Sequence, residues 1–209
     1  MIVLHYTAMR SSSAALERLC APEHEVSAHY LISETGGVFA LVPEDQRAWH
    51  AGQGCWGDVT DINSRSIGIE LANPGDAPFA APQMRALEQL LAQVMARHRI
   101  VPQRVIAHSD MAPARKRDPG PRFDWRRLAL QRLSVWPEPL KVPVPVDMDG
   151  FYAAAVAFGY DPTQPAAVIL SALRLRFLPG ASGPLTPQDM ATITDLARRF
   201  PVDRAPVDA

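Results

Sequence analysis

The chain has 209 residues, of which 47% are hydrophobic and 21% are charged, and its formal net charge is −1. This length and composition are typical of a globular protein with one medium-sized domain and a small second one. A net charge so close to zero argues against nucleic acid or an anionic membrane surface as the main partner. The two cysteines are too few for a disulfide framework and lack metal-ligand spacing.

Targeting and membrane signals are missing from the chain. No run of about 18 apolar residues is present, so no transmembrane segment is predicted. The first residues lack the charged and apolar regions of a signal peptide, and a candidate ligand already stands at His5. We therefore expect a cytoplasmic protein; the alternative is a periplasmic protein whose N-terminus is truncated here. We also expect a monomer.

Apolar runs alternate with helical patterns through the first two thirds of the chain. Three runs are too continuously apolar for half-exposed strands and predict short buried ones, at 2–5, 66–71 and 105–107. Segments 28–32 and 38–42 flank two glycines and predict a β-hairpin. Helical periodicity and capping residues predict helices over 11–19, 82–98 and near 124–133. Residues 43–64 are rich in turn formers and predict a long functional loop.

Prolines separate this first part from a helical C-terminal part. An extended linker is predicted over 137–147 because it contains four prolines, Pro137, Pro139, Pro143 and Pro145. Three short helices are predicted beyond it, at about 149–158, at about 165–177 and from Thr186-Pro187 onward. The chain thus divides into a domain over 1–136, the linker, and a three-helix domain over 148–209. We expect the small domain to dock on the first one or on a ligand.

Three predicted strands lead into side chains that can bind a metal or act in catalysis. His5 follows Ile2-Val-Leu4, Glu70 follows Ile67-Gly-Ile69, and His108 follows Val105-Ile-Ala107. Ligands and catalytic groups collect at strand ends in α/β sheets. The three side chains are therefore expected along one rim of the sheet, although each alone could be a structural residue.

The loop after the last strand adds two more candidates. Asp118 provides a carboxylate ten residues after His108, so the loop can supply two ligands to one divalent metal. Lys116 stands between two arginines in a chain that has 19 Arg and only two Lys. Because lysine carries a compact point charge and arginine a wide planar fork, this choice indicates that a point charge is needed there.

These residues fit the parts of a zinc-dependent amide hydrolase. Catalytic zinc takes three protein ligands and keeps an open position, and His5, His108 and Asp118 match that count for one zinc ion per chain. Glu70 is then the candidate general base. Lys116 is the candidate for stabilising the oxyanion.

Five segments resemble the zinc-dependent type 2 N-acetylmuramoyl-L-alanine amidases: Leu4-His-Tyr-Thr7, Val26-Ser-Ala-His-Tyr-Leu-Ile32, Ala48-Trp-His-Ala-Gly52, Asn63-Ser-Arg-Ser-Ile-Gly-Ile-Glu-Leu71 and the segment from His108 to Gly120. The resemblance covers residues 1–136 and implies an α/β fold with a mixed central β-sheet flanked by helices. It assigns zinc to His5, His108 and Asp118, and catalysis to Glu70 and Lys116. The aspartate at 118, where other branches carry cysteine, places the chain with the bacterial cell-wall recycling branch.

The resemblance also implies the substrate, which is the amide between N-acetylmuramic acid, or its 1,6-anhydro form, and L-alanine of the stem peptide. The C-terminal helices resemble a degenerate peptidoglycan-binding domain. Substrate contacts are expected from five residues of the loop and its end, namely Trp49, His50, Ala51, Asn63 and Arg65. Loop packing is an equal alternative for His50, and turn stabilisation for Asn63 and Arg65. A non-catalytic peptidoglycan-recognition module remains the alternative function, and a generic zinc peptidase is weakened by the absence of His-Glu-x-x-His.

Overall fold

The computed structural model, which describes residues 1–138 and 144–202, is built around a five-stranded sheet. The strands are β1 (Ile2–Tyr6), β2 (Tyr30–Ile32), β3 (Val38–Ala40), β4 (Ile67–Leu71) and β5 (Val105–Ala107). Their order across the sheet is β3-β2-β4-β1-β5. Strand β1 is parallel to both β4 and β5, and β2 is parallel to β4. The antiparallel pair β2 and β3 is the predicted hairpin, so the predicted mixed sheet is confirmed.

The helices of the described residues are α1 (Ser12–Cys20), α2 (Ala81–His98), α3 (His108–Met111), α4 (Trp125–Leu130), α5 (Met148–Phe158), α6 (Ala166–Phe177) and α7 (Pro187–Arg199). Helix α3 is a difference from the sequence, which predicted only a loop over 108–120. One helical turn forms there because Asp110 Oδ2 accepts the backbone N–H of Ala107 at 2.8 Å. In the described part of the chain, no helix combines the length and apolarity needed to cross a membrane.

The two faces of the sheet pack against different helices. Side chains alternate between faces along a strand, so Ile2 and Leu4 of β1 share one face, where they join a core with helices α2 and α4. Val3 points to the other face and belongs to a core that includes buried residues of α5, α6 and α7. The predicted docking of the helical unit on the first domain is therefore what the described residues show.

A continuous core joins the helical unit to the sheet. Phe151, Ile169 and Leu173 of the helical unit share one buried cluster with Ile106 of β5. Burying each such side chain stabilises the fold by about 1.5–3 kcal/mol. Residues 139–143 of the predicted linker and the last residues, 203–209, lie outside the described residues. The division into domains at 137–147 stays a prediction.

Parallel pairing brings the strand ends to one edge of the sheet. His5 of β1 stands opposite Glu70 of β4, and Leu4 stands opposite Ala107, the last residue of β5. His108 therefore follows immediately at the same edge. The predicted loop 43–64 contains neither helix nor strand apart from an isolated bridge between Trp56 and Val59, and its residues Trp49 and His50 lie at this edge.

Candidate active site

Three side chains converge at the edge of the sheet. His5 Nδ1 lies 2.8 Å from His108 Nδ1. The Oδ2 atom of Asp118 lies 3.0 Å from His5 Nδ1 and 2.9 Å from His108 Nδ1. All three residues are buried, and one ligand atom from each lies within 4.8 Å of the others, which makes them a possible metal site. Asp118 reaches the two histidines because its carbonyl oxygen accepts the backbone N–H of Ser109 in α3 at 3.0 Å.

The hydrogen bonds of His108 define which ring nitrogen faces the cluster. Its Nε2 atom lies 2.8 Å from the carbonyl oxygen of Ala51. A carbonyl oxygen can only accept, so Nε2 carries the proton and donates it. In the form that binds a metal, Nδ1 therefore has no proton and presents its lone pair toward His5 and Asp118. This backbone acceptor is the contribution of Ala51, whose side chain is buried.

A chain of hydrogen bonds defines the proton position on His5 in the same way. The hydroxyl of Ser66 donates to the carbonyl oxygen of Ile62 at 2.6 Å, so its oxygen accepts from His50 Nε2 at 3.2 Å. Burial lowers the pKa of His50 well below its ordinary value, so the ring is neutral and its Nδ1 accepts. His5 Nε2 therefore donates to His50 Nδ1 at 3.0 Å.

With both rings in the form that binds a metal, the converging atoms are three acceptors. Burial and the neighbouring His108 ring lower the pKa of His5 to about 4, so His5 is neutral at physiological pH. Two imidazole lone pairs and a carboxylate oxygen at these separations repel one another unless a positive charge lies between them. Neutral histidine and ionised carboxylate are also the forms in which these residues bind a metal.

The loop residue His50 is held by its neighbours on two sides. Asn63 Oδ1 accepts the backbone N–H of both His50 and Ala51, at 3.1 and 2.9 Å. Gly68 of β4 leaves the space for the ring, because a Cβ atom there would lie 2.3 Å from His50 Cγ. Glycine at position 68 therefore allows the close approach of the His50 ring to the strand, and backbone flexibility is not what the position requires.

Glu70 occupies the strand next to His5. Its Oε2 atom is buried and has no hydrogen-bond partner among the described residues. Burial and the nearby carboxylate of Asp118 raise the pKa of Glu70 well above its ordinary value, and Lys116 opposes the shift. A carboxylate with a raised pKa suits proton transfer near neutral pH.

One cavity of about 460 Å³ contains the converging residues. Glu70 and Lys116 line it together with His5, His108 and Asp118, and Trp49 and His50 form part of its wall. Within the run Arg115-Lys116-Arg117, only the lysine is half-buried, and both arginines are exposed. The side chain of Trp49 is exposed, and the Arg47 guanidinium lies 4.4 Å from the centre of its ring.

Two of the expected substrate contacts lie elsewhere. Asn63 and Arg65 line a different cleft, beside Met1 and Glu44, and the buried Asn63 uses its side-chain oxygen to hold the loop. Their roles in substrate binding stay a prediction, and the observed contacts of Asn63 support the alternative of turn stabilisation.

Sequence reasoning did not identify Arg115 and Ser66 as site residues. Arg115 lines the cavity and its guanidinium donates to the carbonyl oxygen of Ala51 at 2.7 Å. Ser66 is the residue that orients His50. Both lie inside the motif segments, but only the fold shows which backbone atoms they reach.

Comparison with known proteins agrees with this site. A family model described as N-acetylmuramoyl-L-alanine amidase matches residues 1–121. The N-acetylmuramoyl-L-alanine amidase AmiD of Escherichia coli K12 is 38% identical over 188 residues, which are 77% of this chain and 66% of AmiD. The 1,6-anhydro-N-acetylmuramyl-L-alanine amidase AmpD of Enterobacter cloacae is 40% identical over 102 residues, which are 49% of this chain and 54% of AmpD. The chain thus spans just under two thirds of AmiD and about half of AmpD.

Two solved structures share the whole fold. The complex of E. coli AmiD with anhydro-N-acetylmuramic acid-L-Ala-D-gamma-Glu-L-Lys has a TM-score of 0.87 and 33% identity, and it covers 96% of this chain and 89% of that one. AmpDh3 of Pseudomonas aeruginosa in complex with anhydromuramic pentapeptide has a TM-score of 0.85 and 29% identity, with 97% and 92% covered. Since the family model matches more than half of the residues, this chain belongs to the type 2 N-acetylmuramoyl-L-alanine amidase family, as its motifs predicted.

Proposed function

We propose that the protein is a zinc-dependent amidase that cleaves the bond between N-acetylmuramic acid, or its 1,6-anhydro form, and L-alanine of the stem peptide. The observation that carries the proposal is the convergence of three buried acceptor atoms, from His5, His108 and Asp118, in a cavity that also contains Glu70 and Lys116. The names of AmiD and AmpD, and the muropeptides bound in the two solved structures, support this substrate class.

The donor set fits a catalytic zinc ion. Two imidazole nitrogens and one carboxylate oxygen are the three protein ligands that such sites use, with the remaining position open. The outer nitrogens of both histidines donate to neighbouring acceptors, which orients the rings as metal ligands require. The metal supplies Lewis acidity, which polarises a carbonyl group and acidifies water.

The residues around the ligands supply the proton transfers. Glu70 accepts a proton from the attacking water as the water oxygen bonds to the lactyl carbonyl carbon. The same carboxyl group then gives that proton to the L-alanine nitrogen as the C–N bond breaks. The second proton of the water also ends on that nitrogen, so the products are a muramic acid carboxylate and a peptide with a free N-terminal ammonium group. The Lys116 ammonium stabilises the charge that develops on the carbonyl oxygen, which is worth about 3–4 kcal/mol in comparable sites.

Two measurements on the full chain test the proposal. Protein purified without chelator should contain about one equivalent of zinc. Incubation with 1,6-anhydro-N-acetylmuramyl peptide should release a peptide with L-alanine at its free N-terminus, detected by mass spectrometry. Protein that holds zinc but leaves both this substrate and intact sacculi uncut would instead support the alternative, a non-catalytic peptidoglycan-recognition module.

The same assay tests which form of the substrate the enzyme prefers. We propose the small anhydro-muropeptide, because both solved relatives contain anhydromuramic peptides and the resemblance is to the recycling branch. Faster release from the small substrate than from sacculi, at equal concentration of cleavable bonds, is the expected result. A cytoplasmic location and a monomeric state belong to this proposal; size-exclusion chromatography with light scattering tests the latter.

A further inference from the structure

A buried ion pair joins the helical unit to the turn that carries the metal ligands. Arg176 of α6 and Asp110 of α3 are 2% and 0% exposed, and Arg176 Nη1 donates to Asp110 Oδ2. Tyr160, which follows α5, donates its hydroxyl proton to Asp110 Oδ1 at 3.1 Å. Both carboxylate oxygens of Asp110 are therefore held from the C-terminal helical unit.

The same carboxylate also connects the end of β5 to the start of α3. Asp110 Oδ2 also accepts the backbone N–H of Ala107, so it ties the end of the strand to the first turn of the helix. His108 lies between these two residues, and Ser109 donates its N–H to the carbonyl oxygen of Asp118. Two of the three candidate metal ligands thus depend on the position of this one turn.

Arg176 braces the junction at further points. Its Nη2 atom donates to the carbonyl oxygen of Val105 at 3.1 Å and to Ser134 Oγ at 3.0 Å. Its guanidinium carbon lies 4.1 Å from the ring centre of Trp125. A planar cation with several donors suits such a multiply bonded buried position better than a lysine would.

We infer that Arg176, with Tyr160, is a positioning residue for the metal site, which makes the C-terminal helical unit part of the catalytic centre. Arg176 holds Asp110, Asp110 holds the turn α3, and the turn places His108 and Asp118 at the distances that a metal requires. Outer groups that orient ligands commonly change metal affinity or activity by roughly 10- to 100-fold when they are lost. The inference rests on the proposed function, because it concerns the affinity of the same metal site.

Helix α6 also contains a matched control. Arg174, two residues earlier, also forms a buried ion pair with an aspartate, Asp189, at 2.9 Å from Nε and 2.6 Å from Nη2. Its other bonds go to the carbonyl oxygens of Gly183 and Pro184. This second pair lies wholly inside the helical unit, so it shares the chemistry of the first pair without its connection to α3.

The test compares Arg176→Met with Arg174→Met in the full chain. Each variant leaves a buried aspartate without its cation, so both should lower the melting temperature. Zinc affinity is measured on metal-free protein by competition with a chromophoric chelator, well below either melting temperature. We expect a zinc Kd roughly 10- to 100-fold higher for Arg176→Met and an unchanged Kd for Arg174→Met. The visible absorption of bound Co²⁺ should change in the first variant alone.

A milder pair of variants keeps the test decisive if Arg176→Met does not fold. Tyr160→Phe removes only the hydrogen bond to Asp110, whereas Tyr152→Phe removes a bond to the carbonyl oxygen of Pro162 within the helical unit. Weaker zinc binding and an altered Co²⁺ spectrum in Tyr160→Phe, but not in Tyr152→Phe, support the inference. Equal zinc affinities across each pair, or losses that only follow melting temperature, overturn it. A wild-type protein that binds no zinc overturns the proposed function itself, which is a separate result.

Discussion

The ligand edge of the sheet and the helical unit behind it both bury charged groups, but they satisfy them differently. In the helical unit, Asp189 accepts hydrogen bonds from Arg174 and from Thr186, and Asp195 accepts from Arg199 and from the N–H of Glu138. At the ligand edge, Glu70 Oε2 has no partner among the described residues, and three acceptors face one another. The buried carboxylates Asp189 and Asp195 are paired in the helical unit, whereas Glu70 Oε2 at the ligand edge is not.

This difference separates structural from functional use of polar groups. A buried carboxylate with several donors is compensated within the protein, whereas an unpaired one carries a desolvation cost that the fold must tolerate. Unsatisfied groups persist where a ligand completes them, and such sites gather ionisable residues with shifted pKa values. We therefore expect substitutions at the edge to affect metal and substrate binding, and substitutions in the helical unit other than those at Arg176 and Tyr160 to affect stability alone.

The largest effect is expected from removing two ligands together. The double variant His5→Ala, His108→Ala should lose stoichiometric zinc and all measurable amidase activity, because one carboxylate cannot hold the ion alone. The free energy of unfolding of the metal-free protein should change by less than about 2 kcal/mol. Packing is lost with the two rings, but the repulsion between two facing acceptors is lost as well. Metal analysis, activity and urea unfolding measure the three quantities.

The exposed histidine His98 provides the control, because it contacts Glu44 and neither residue lines the cavity. His98→Ala should keep both zinc and activity. Full zinc content in the double ligand variant would refute the assignment of the metal site. That result would also mean that the facing acceptor atoms of His5, His108 and Asp118 do not bind the metal.

Glu70→Gln should separate chemistry from metal binding. The amide cannot accept a proton, so turnover should fall by roughly 10²- to 10⁴-fold, with zinc content unchanged. The metal-free variant should be more stable than the wild type at pH 7 by about 1–3 kcal/mol, because an unpaired buried carboxylate becomes a neutral group. Denaturant titration of both proteins without metal measures this difference. If metal-free Glu70→Gln were less stable than the metal-free wild type, the carboxylate of Glu70 would have to be stabilised by hydrogen-bond or ionic partners.

Loss of the His50 ring should have an intermediate effect. His50→Ala removes the acceptor for His5 Nε2, so zinc affinity should fall roughly 10- to 100-fold while the ligands remain. Ser66→Ala should have a smaller effect in the same direction, because it removes only the hydrogen bond to His50 Nε2 and leaves the bond between His50 and His5 in place. Chelator competition gives both affinities. A stronger effect of Ser66→Ala than of His50→Ala would contradict the proposed order of hydrogen bonds.

The smallest effect is expected at a paired surface carboxylate. Glu44 accepts hydrogen bonds from Arg97, Tyr30 and His98, and the bond from Arg97 contributes most to lowering its pKa from 4.5 to about 2. A depressed folded pKa adds stability that is present above the unfolded pKa and lost as the pH falls toward 2. Glu44→Gln should therefore cost about 1 kcal/mol at pH 7.

The pH dependence is the specific signature of that substitution. The stability difference between wild type and Glu44→Gln should shrink as the pH falls from 4.5 to about 2, the interval between the unfolded and folded pKa of Glu44. Thermal unfolding at several pH values measures it. A difference that persists unchanged at pH 3 would mean that the charge of Glu44 contributes nothing and only its shape matters.

Local patterns were sufficient to predict most elements of the fold. Continuous apolar runs predicted β1, β4 and β5, and helical periodicity predicted α2 within one residue of its observed start. The prediction that His5, Glu70 and His108 lie on one rim also followed from strand ends alone, since parallel strands end at the same edge. Helix α3 was missed because its one turn depends on a bond from Asp110 to the preceding strand.

The amino-acid sequence by itself determined most of the elements, the family and the identity of the candidate ligands, because these depend on local periodicity and on short motifs. Only the tertiary structure decided how those ligands are oriented. Ala51 and Ser66 contribute through atoms whose partners, His108 and His50, lie 57 and 16 residues away in the chain, and a backbone carbonyl carries no mark in the sequence. The connection of Arg176 to Asp110 spans 66 residues, and such a contact exists only once the helical unit packs on the sheet.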